Sequence, residues 1–231
     1  MKFPFVRDNS YKVGELRAFE KNLLTERQSK PQFSNEVRQN LLPWAKMRNE
    51  ELAPFLNFLN WQQISDEAEF VISAESHQGP DLSLRFNDTV STFQLTTAYP
   101  HWSGNGGRSH AFRNIALGQT GLAWGASGTK KDKTTGQIVS SPIPVDQKER
   151  QMACKLGLET AFRKKLTSPI MGDVLLIYTI GFFLELVDEG YEAFLRPIAN
   201  ELLLSAHQSN HRKRITLVDA FPNSIFDVHS N

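Results

Sequence analysis

The chain has 231 residues, and its 26 lysine and arginine residues nearly balance its 25 aspartate and glutamate residues. This near-neutral charge excludes a global electrostatic attraction to nucleic acid or to an acidic membrane, and it leaves a local basic surface open. The single cysteine, Cys154, excludes an internal disulfide framework and is typical of a reducing compartment. The first residues lack a signal-peptide pattern, and the most apolar run, residues 174–184, is too short to span a bilayer. We therefore expect a soluble, cytoplasmic protein with no membrane partner.

The N-terminal part of the chain is predicted to be helical. Apolar residues recur at helical spacing between positions 11 and 28, which indicates a first helix. A second helix is predicted to begin after Ser34, because serine caps helix N-termini well. Pro43 and Pro54 should break or kink the chain that follows. A strand over residues 69–74 comes next.

A β-hairpin is predicted over residues 81–96. Apolar and polar residues alternate along both arms, which is the pattern of a half-buried strand. Asn87 and Asp88 separate the arms and suit a two-residue turn. A turn this tight determines which residues face each other across the hairpin.

That register brings polar groups together. If Phe86 faces Thr89, counting outward places Asp81 opposite Gln94. Thr96 lies two residues beyond Gln94, on the same face of the strand. A carboxylate, an amide oxygen and a hydroxyl are therefore predicted to cluster at one end of one sheet face.

The second half of the chain begins with a glycine-rich segment, residues 98–145. A loop of this length inside a compact domain is either functional or poorly ordered. Hydrophobic periodicity and helix-capping residues then predict four regular elements. They are a helix over 146–166, a strand over 173–180, a helix over 189–207 and a strand over 214–219.

The predicted order of helix, three strands, helix and strand indicates an α/β (α+β) fold with a central mixed sheet flanked by helices. In this order the chain resembles the PD-(D/E)xK nuclease-like superfamily, which has a restriction-endonuclease-like core. Pro80-Asp81 stands where the superfamily has Pro-Asp, and Gln94-Leu95-Thr96 stands where it has an acid-x-lysine triplet. We expect one domain over residues 1–231. Its parts are an N-terminal helical part (about 1–66), a nuclease-like core (about 34–180, with the loop 98–145) and a C-terminal extension (about 181–231).

The resemblance implies metal-dependent hydrolysis of phosphodiester bonds in a nucleic acid. Asp81 and Gln94 occupy the metal-ligand positions for Mg²⁺, with Mn²⁺ as a substitute, and the ion would activate the attacking water. Gln94 replaces an acid, so the site should hold a hard cation more weakly. Thr96 replaces the lysine and is assigned a contact with the water or the ligand shell. Glu36, on the second helix, is a candidate extra carboxylate.

In some members of the superfamily the lysine lies on the helix that follows the hairpin. Lys164 is the candidate here, because it shares one stripe of the helix 146–166 with small residues that would let the helix approach the sheet closely. The small residues are Ala153, Gly157 and Ala161. The same arithmetic points Lys155 and Lys165 elsewhere. Lys164 is therefore predicted to stabilise negative charge at the site.

Two other functions stay open. The absence of the second acid and of the in-motif lysine favours a catalytically inactive nuclease-like module that binds nucleic acid or a protein partner. Alternatively, residues 103–109 would present backbone N–H groups to a phosphate in an unrelated small-molecule enzyme. If the nuclease hypothesis is right, this segment is expected to be a lid or a substrate contact, with Trp102, Arg108 and Arg113 binding nucleic acid.

Overall fold

The computed structural model describes residues 1–38, 40–74, 79–101, 130–131, 138–139, 147–166, 172–179, 190–208, 214–219 and 225–228. Its helices are α1 (Val13–Ser29), α2 (Pro31–Arg38), α3 (Ala45–Met47), α4 (Ala53–Trp61), α5 (Gln147–Leu166) and α6 (Gly190–Gln208), and a π-helical turn (Arg48–Leu52) joins α3 to α4. Its strands are β1 (Ser10–Lys12), β2 (Glu69–Ile72), β3 (Leu82–Phe86), β4 (Thr89–Ala98), β5 (Lys130–Lys131), β6 (Ile138–Val139), β7 (Val174–Thr179), β8 (Arg214–Asp219) and β9 (Ile225–Val228).

The order of these elements confirms the predicted α/β fold with a central mixed sheet. Helix α4, strands β2, β3 and β4, helix α5 and strand β7 follow one another as expected. The second predicted helix begins earlier than expected, at Pro31 rather than after Ser34, because proline is well suited to the first position of a helix. The short strands β1 and β9 were not predicted.

The central sheet has seven strands in the order β1-β2-β3-β4-β7-β8-β9. Strands β4, β7 and β8 are parallel to one another, and every other neighbouring pair is antiparallel. Parallel neighbours need a crossover connection, and α5 and α6 lie in the two crossovers of this sheet. Strand β4 is therefore the point at which the antiparallel half of the sheet meets the parallel half.

Two hydrophobic cores cover the two faces of the sheet. One core packs α1 and α4 against β2, β3 and β4, with Phe55, Phe70 and Phe93 fully buried. The other packs α5 and α6 against β7 and β8 and includes Leu158 and Ile177. Helices thus lie on both sides of the β4–β7 pair. Within the described part of the chain, no helix is long and apolar enough to cross a membrane.

The β3–β4 hairpin has the predicted register. Phe86 pairs with Thr89 and Leu82 pairs with Phe93. Asn87 and Asp88 both have positive φ angles, 47° and 61°, as a type I′ turn requires at its two central positions. The tight turn therefore sets the position of Asp81, which directly precedes β3.

The π-helical turn before α4 is explained by Pro54. Proline has no N–H and cannot donate to the carbonyl four residues earlier, which belongs to Glu50, and its ring clashes with that carbonyl. The N–H of Ala53 instead donates to the carbonyl of Arg48, five residues earlier. The proline therefore does not end the helical run, and a wider turn absorbs it.

An ion pair with α1 holds the π-helical turn in place. The Arg48 Nε donates to Glu20 Oε1 at 2.8 Å, and Nη2 donates to Oε2. Burial by itself would lower the pKa of Arg48, but the hydrogen bond and the charge of Glu20 outweigh burial and raise that pKa. The turn is thereby fixed against the N-terminal helix.

Candidate functional site

A cleft of about 530 Å³ lies at the C-terminal end of β4. The last residue pair of β3 and β4 joins Leu82 to Phe93, whereas β4 remains paired with β7 as far as Ala98. The last residues of β4 therefore extend past β3 and line the cleft. The carboxyl ends of parallel strands are the usual ligand sites in α/β sheets.

The cleft is lined from both faces of the sheet and from the strand edge between them. The π-helical region contributes residues on one side, and α5 contributes residues on the other. The lining residues are Lys46, Glu50, Glu51, Asp81, Leu95, Thr96, Thr97, Tyr99, His101, Gly157, Thr160, Ala161, Lys164 and Lys165. The cleft therefore carries charges of both signs.

Asp81 is anchored just before β3 begins, beside the part of β4 that continues past β3. Its N–H donates to the carbonyl of Phe93 at 2.8 Å, and its Oδ2 accepts a hydrogen bond from the N–H of Leu95 at 2.6 Å. The Asp81 carboxylate thus accepts a hydrogen bond that a backbone carbonyl would accept if β3 continued, and it satisfies the N–H of Leu95 where β4 has no β3 partner. The side chain keeps 36% of its surface exposed, so it also faces the cleft.

Lys165 is the lysine that approaches Asp81. Its Nζ lies 3.5 Å from Asp81 Oδ2, and only 20% of its side chain is exposed. The prediction that Lys165 points elsewhere is wrong. Successive helical residues are about 100° apart, and a lysine stem is long enough to reach from either flank. Lys164 also lines the cleft, so the last turn of α5 presents two neighbouring lysines there.

The small-residue stripe of α5 lies against the backbone that leaves β4. Ala153, Gly157 and Ala161 are buried, and the N–H of His101 donates to the Ala153 carbonyl at 2.8 Å. A Cβ atom on Gly157 would lie 1.9 Å from the Tyr99 carbonyl oxygen. The predicted close approach of this helix to the sheet is therefore confirmed, and it brings the two lysines to the cleft.

Gln94 and Thr96 have different surroundings although they share one face of β4. Thr96 is half-buried and lines the cleft. Gln94 is 4% exposed, lies beside Leu175 of β7 and is not among the residues that line the cleft. Gln94 lies inside the sheet rather than at its edge, because β4 is paired there with the parallel strand β7. The structure thus brings Asp81, Thr96 and Lys164 to one cleft and leaves Gln94 outside its lining.

The helical side of the cleft holds acids that the sequence patterns did not indicate. Glu36, the predicted extra carboxylate, lies on α2 and is not among the lining residues. Glu50 and Glu51, in the π-helical turn, line the cleft instead. Pro54 was the available signal, because a proline inside a helical pattern disturbs the helix, and the π-helical turns that such a disturbance can accompany are frequent at functional sites.

The donor set of the cleft is suited to a hard cation held together with a phosphate. Carboxylate and hydroxyl oxygens are the ligands that Mg²⁺ prefers, and Mg²⁺ is commonly bound by one or two carboxylates plus water and substrate phosphate. Among the described residues there is no group of three or more His, Cys, Asp or Glu side chains that could hold a metal ion. The described residues of the cleft thus offer carboxylate and hydroxyl oxygens but no preformed set of three metal ligands.

Several predicted residues lie outside the described part of the chain, namely Trp102, Arg108, Arg113 and the glycine-rich residues 103–109. No protein-family model, curated protein or solved structure matches the chain. The functional assignment therefore depends on the geometry of the cleft.

Proposed function

We propose that this protein is a metal-dependent nuclease-like hydrolase that cleaves phosphodiester bonds of a nucleic acid in the cleft at the end of β4. The observation that carries the proposal is the Asp81 carboxylate, which stands 3.5 Å from Lys165 in a cleft also lined by Thr96 and Lys164. An acid before the second core strand, a polar residue on the third and a lysine nearby are what the PD-(D/E)xK resemblance implies. The observed element order supports the same resemblance.

The side chains of the cleft divide into two groups by charge. Asp81, with Glu50 or Glu51 from the π-helical turn, would hold Mg²⁺ or Mn²⁺, which lowers the pKa of a bound water and polarises the phosphoryl oxygens when it is present. Lys164 and Lys165 neutralise charge on the phosphate oxygens. We assign the second oxygen ligand to the turn rather than to Gln94, because Gln94 does not line the cleft.

Thr96 completes the assignment as a hydrogen-bonding group. Its hydroxyl can both donate and accept, so it suits a contact with the attacking water or with a phosphate oxygen. It lies near the C-terminal end of β4, among the residues that line the cleft. A threonine at this place cannot supply positive charge, and the lysines of α5 take that role.

The second candidate function is a catalytically inactive nuclease-like module that binds nucleic acid or a protein partner. One observation favours it: Asp81 Oδ2 already accepts the Leu95 N–H and faces Lys165. A carboxylate engaged in this way is a weaker ligand for a cation, because the ion must compete with the ammonium group. The lysines would then serve phosphate binding alone.

The test compares two isosteric changes in one hairpin. Asp81→Asn removes the charge but keeps an oxygen that can accept the Leu95 N–H, whereas Asp88→Asn makes the same change in the turn, at the other end of the hairpin. Mg²⁺ and Mn²⁺ are titrated calorimetrically into both variants and the wild type, and cleavage of mixed DNA and RNA is measured in parallel. We expect Asp81→Asn to lose metal binding and about 100-fold in cleavage, and Asp88→Asn to match the wild type.

Other results decide against the proposal. If wild type neither binds metal nor cleaves, but binds labelled nucleic acid, the inactive module is the better assignment. If Asp81→Asn cleaves as well as the wild type, the active site lies elsewhere.

A further inference from the structure

Another pocket lies at the end of the sheet opposite the cleft. Its volume is about 270 Å³, and it shares no lining residue with the cleft. Thr89 and Ser91 of β4, Val174 of β7 and Arg214 of β8 line it, close to the residues at which these strands begin. The pocket is therefore separate from the site proposed above.

Aromatic and aliphatic side chains make up much of the lining of this pocket. Phe93, Val174 and Arg214 are register partners across β4, β7 and β8, so their side chains lie on one face of the sheet. Phe58 of α4 packs on that face, with its ring centre 5.3 Å from that of Phe93, and both rings are buried. Aromatic side chains arranged in this way bind flat ring systems by stacking.

Arg214 is the charged residue among those that line the pocket. Its guanidinium carbon lies 5.5 Å from the centre of the Phe58 ring and 6.0 Å from that of Trp61. Its Nε and Nη2 donate to Asp227 Oδ2 at 2.9 Å and 2.5 Å. Asp227 Oδ1 in turn accepts the hydroxyl of the buried Thr216 at 2.5 Å. Two rings and a positioned carboxylate therefore hold the guanidinium in one orientation.

The contact with Asp227 uses only one side of the Arg214 guanidinium. Among the residues that the structure describes, none accepts a hydrogen bond from Nη1, so the edge formed by Nη1 and Nη2 still has N–H groups to donate. Because Asp227 balances the charge of Arg214, this edge suits a neutral acceptor better than a free phosphate. Gln62 and Asn87 add amide groups to the lining.

We propose that this pocket binds a nucleobase, with guanine preferred. The base would stack on the aromatic lining, and its O6 and N7 atoms would accept from the Nη1–Nη2 edge of Arg214, since arginine pairs with guanine in this way. Adenine has an amino donor in place of O6 and would leave one N–H of that edge unpaired. The volume lies just below the roughly 300 to 1,000 Å³ of pockets for drug-sized ligands, which suits a single base. Metal binding and cleavage in the cleft are not required for this pocket.

The experiment uses the full chain and two matched pairs of variants. Ser91→Phe fills the pocket, whereas Val90→Phe adds a ring one residue away, at an exposed position on the other face of β4. Arg214→Lys keeps a cation beside Asp227 but removes the planar fork. Arg85→Lys makes the same change at an exposed position of β3 that does not line the pocket. Thermal unfolding followed by circular dichroism verifies that each variant is folded.

Guanosine, adenosine and inorganic phosphate are titrated calorimetrically into each protein, and a short thymidine oligonucleotide with one guanine is titrated in parallel. We expect the wild type to bind guanosine at least about 5-fold more tightly than adenosine, and phosphate not to displace guanosine. Ser91→Phe should lose at least about 10-fold in guanosine affinity, and Arg214→Lys should lose the preference for guanosine over adenosine. Val90→Phe and Arg85→Lys should match the wild type.

The oligonucleotide identifies the source of the base. If it binds more tightly than guanosine and loses this affinity in Ser91→Phe, the pocket takes a base from a nucleic acid strand. If guanosine binds as tightly as the oligonucleotide, the pocket takes a free nucleoside. Both results support a nucleobase pocket.

Four results would overturn the proposal. They are a wild type that binds neither guanosine nor the oligonucleotide, an unchanged guanosine affinity in Ser91→Phe, an equal loss in Val90→Phe, and an unchanged preference for guanosine in Arg214→Lys. Displacement of guanosine by phosphate would show an anion site instead and would also overturn it. None of these results affects the assignment of the cleft, which Asp81→Asn tests separately.

Discussion

The substitution Gly157→Ala adds one methyl group to α5 and so tests the geometry of the cleft. In Gly157→Ala the new Cβ would lie 1.9 Å from the Tyr99 carbonyl oxygen and 2.8 Å from its carbon. Both atoms belong to the backbone, so no side chain can rotate away. The helix must move from the strand end by about 1.1 Å to restore the 3.0 Å that Cβ atoms require.

The stability cost of this change follows from two opposed effects. Overpacking a tight contact costs about 1 to 3 kcal/mol, and replacing glycine by alanine in a helix regains about 1 kcal/mol. We expect a net loss of about 1 to 2 kcal/mol in the free energy of unfolding, which lowers the melting temperature by roughly 2 to 8 °C for a chain of this size. Urea and thermal unfolding, followed by circular dichroism, measure both quantities.

If the cleft is the nuclease site proposed above, the same displacement should affect cleavage more strongly than stability. Lys164 and Lys165 lie on the next turns of α5 and move with it, and a misplacement of about 1 Å in a catalytic group can cost about 100-fold in rate. Gly79→Ala is the control, because its Cβ would meet no atom within 4 Å and should be neutral or slightly stabilising. A Gly157→Ala protein with wild-type melting temperature would refute the close packing of α5 on Tyr99.

Three further predictions concern the scaffold. Glu20→Gln removes the charged partner of Arg48 and should cost about 2 to 3 kcal/mol in urea unfolding. Glu26→Gln, in an exposed pair, should cost much less than Glu20→Gln, and equal losses would contradict this. Asp88→Gly should stabilise by roughly 0.4 to 1 kcal/mol, because glycine adopts the positive φ of the turn without strain, and a loss in urea unfolding would argue against the type I′ turn. The hydrogen bond and the charge of Lys30 lower the pKa of Glu26 below 4.5. The pair therefore stabilises the fold above that pH, and this stabilisation is lost as the pH falls through the lowered pKa. NMR titration should show the pKa of Glu26 rising in Lys30→Ala, and an unchanged titration midpoint would contradict the pairing.

The parts of the site that depend on local geometry could be predicted from the sequence. A two-residue turn fixes the register of its strands, so the position of Asp81 opposite Gln94 followed by counting from Phe86. The stripe of small residues on α5 likewise indicated a close contact with the sheet, which Gly157 makes. Both inferences use periodicity within one or two elements.

The parts that depend on long-range pairing could not be predicted in this way. The surroundings of Gln94 depend on the parallel neighbour β7, which is far away in the sequence. The choice between Lys164 and Lys165 depends on how a flexible side chain leaves the last turn of a helix, and helical periodicity resolves only the direction of the Cα–Cβ bond. Glu50 and Glu51 were missed because no sequence pattern placed the stretch between Pro43 and Pro54 beside the hairpin.

The direction of the Glu50 and Glu51 side chains depends on the number of residues in the π-helical turn. It closes with a hydrogen bond that spans five residues, from Ala53 to Arg48, and so contains one residue more than the α-helix would use for the same turn. Each residue of an α-helix turns the chain by about 100°. Deleting a single residue there would leave the apolar face of α4 unchanged and rotate Glu50 and Glu51 away from the cleft. The cleft's acidity can thus be gained or lost by inserting or deleting one residue, with no exchange of one amino acid for another.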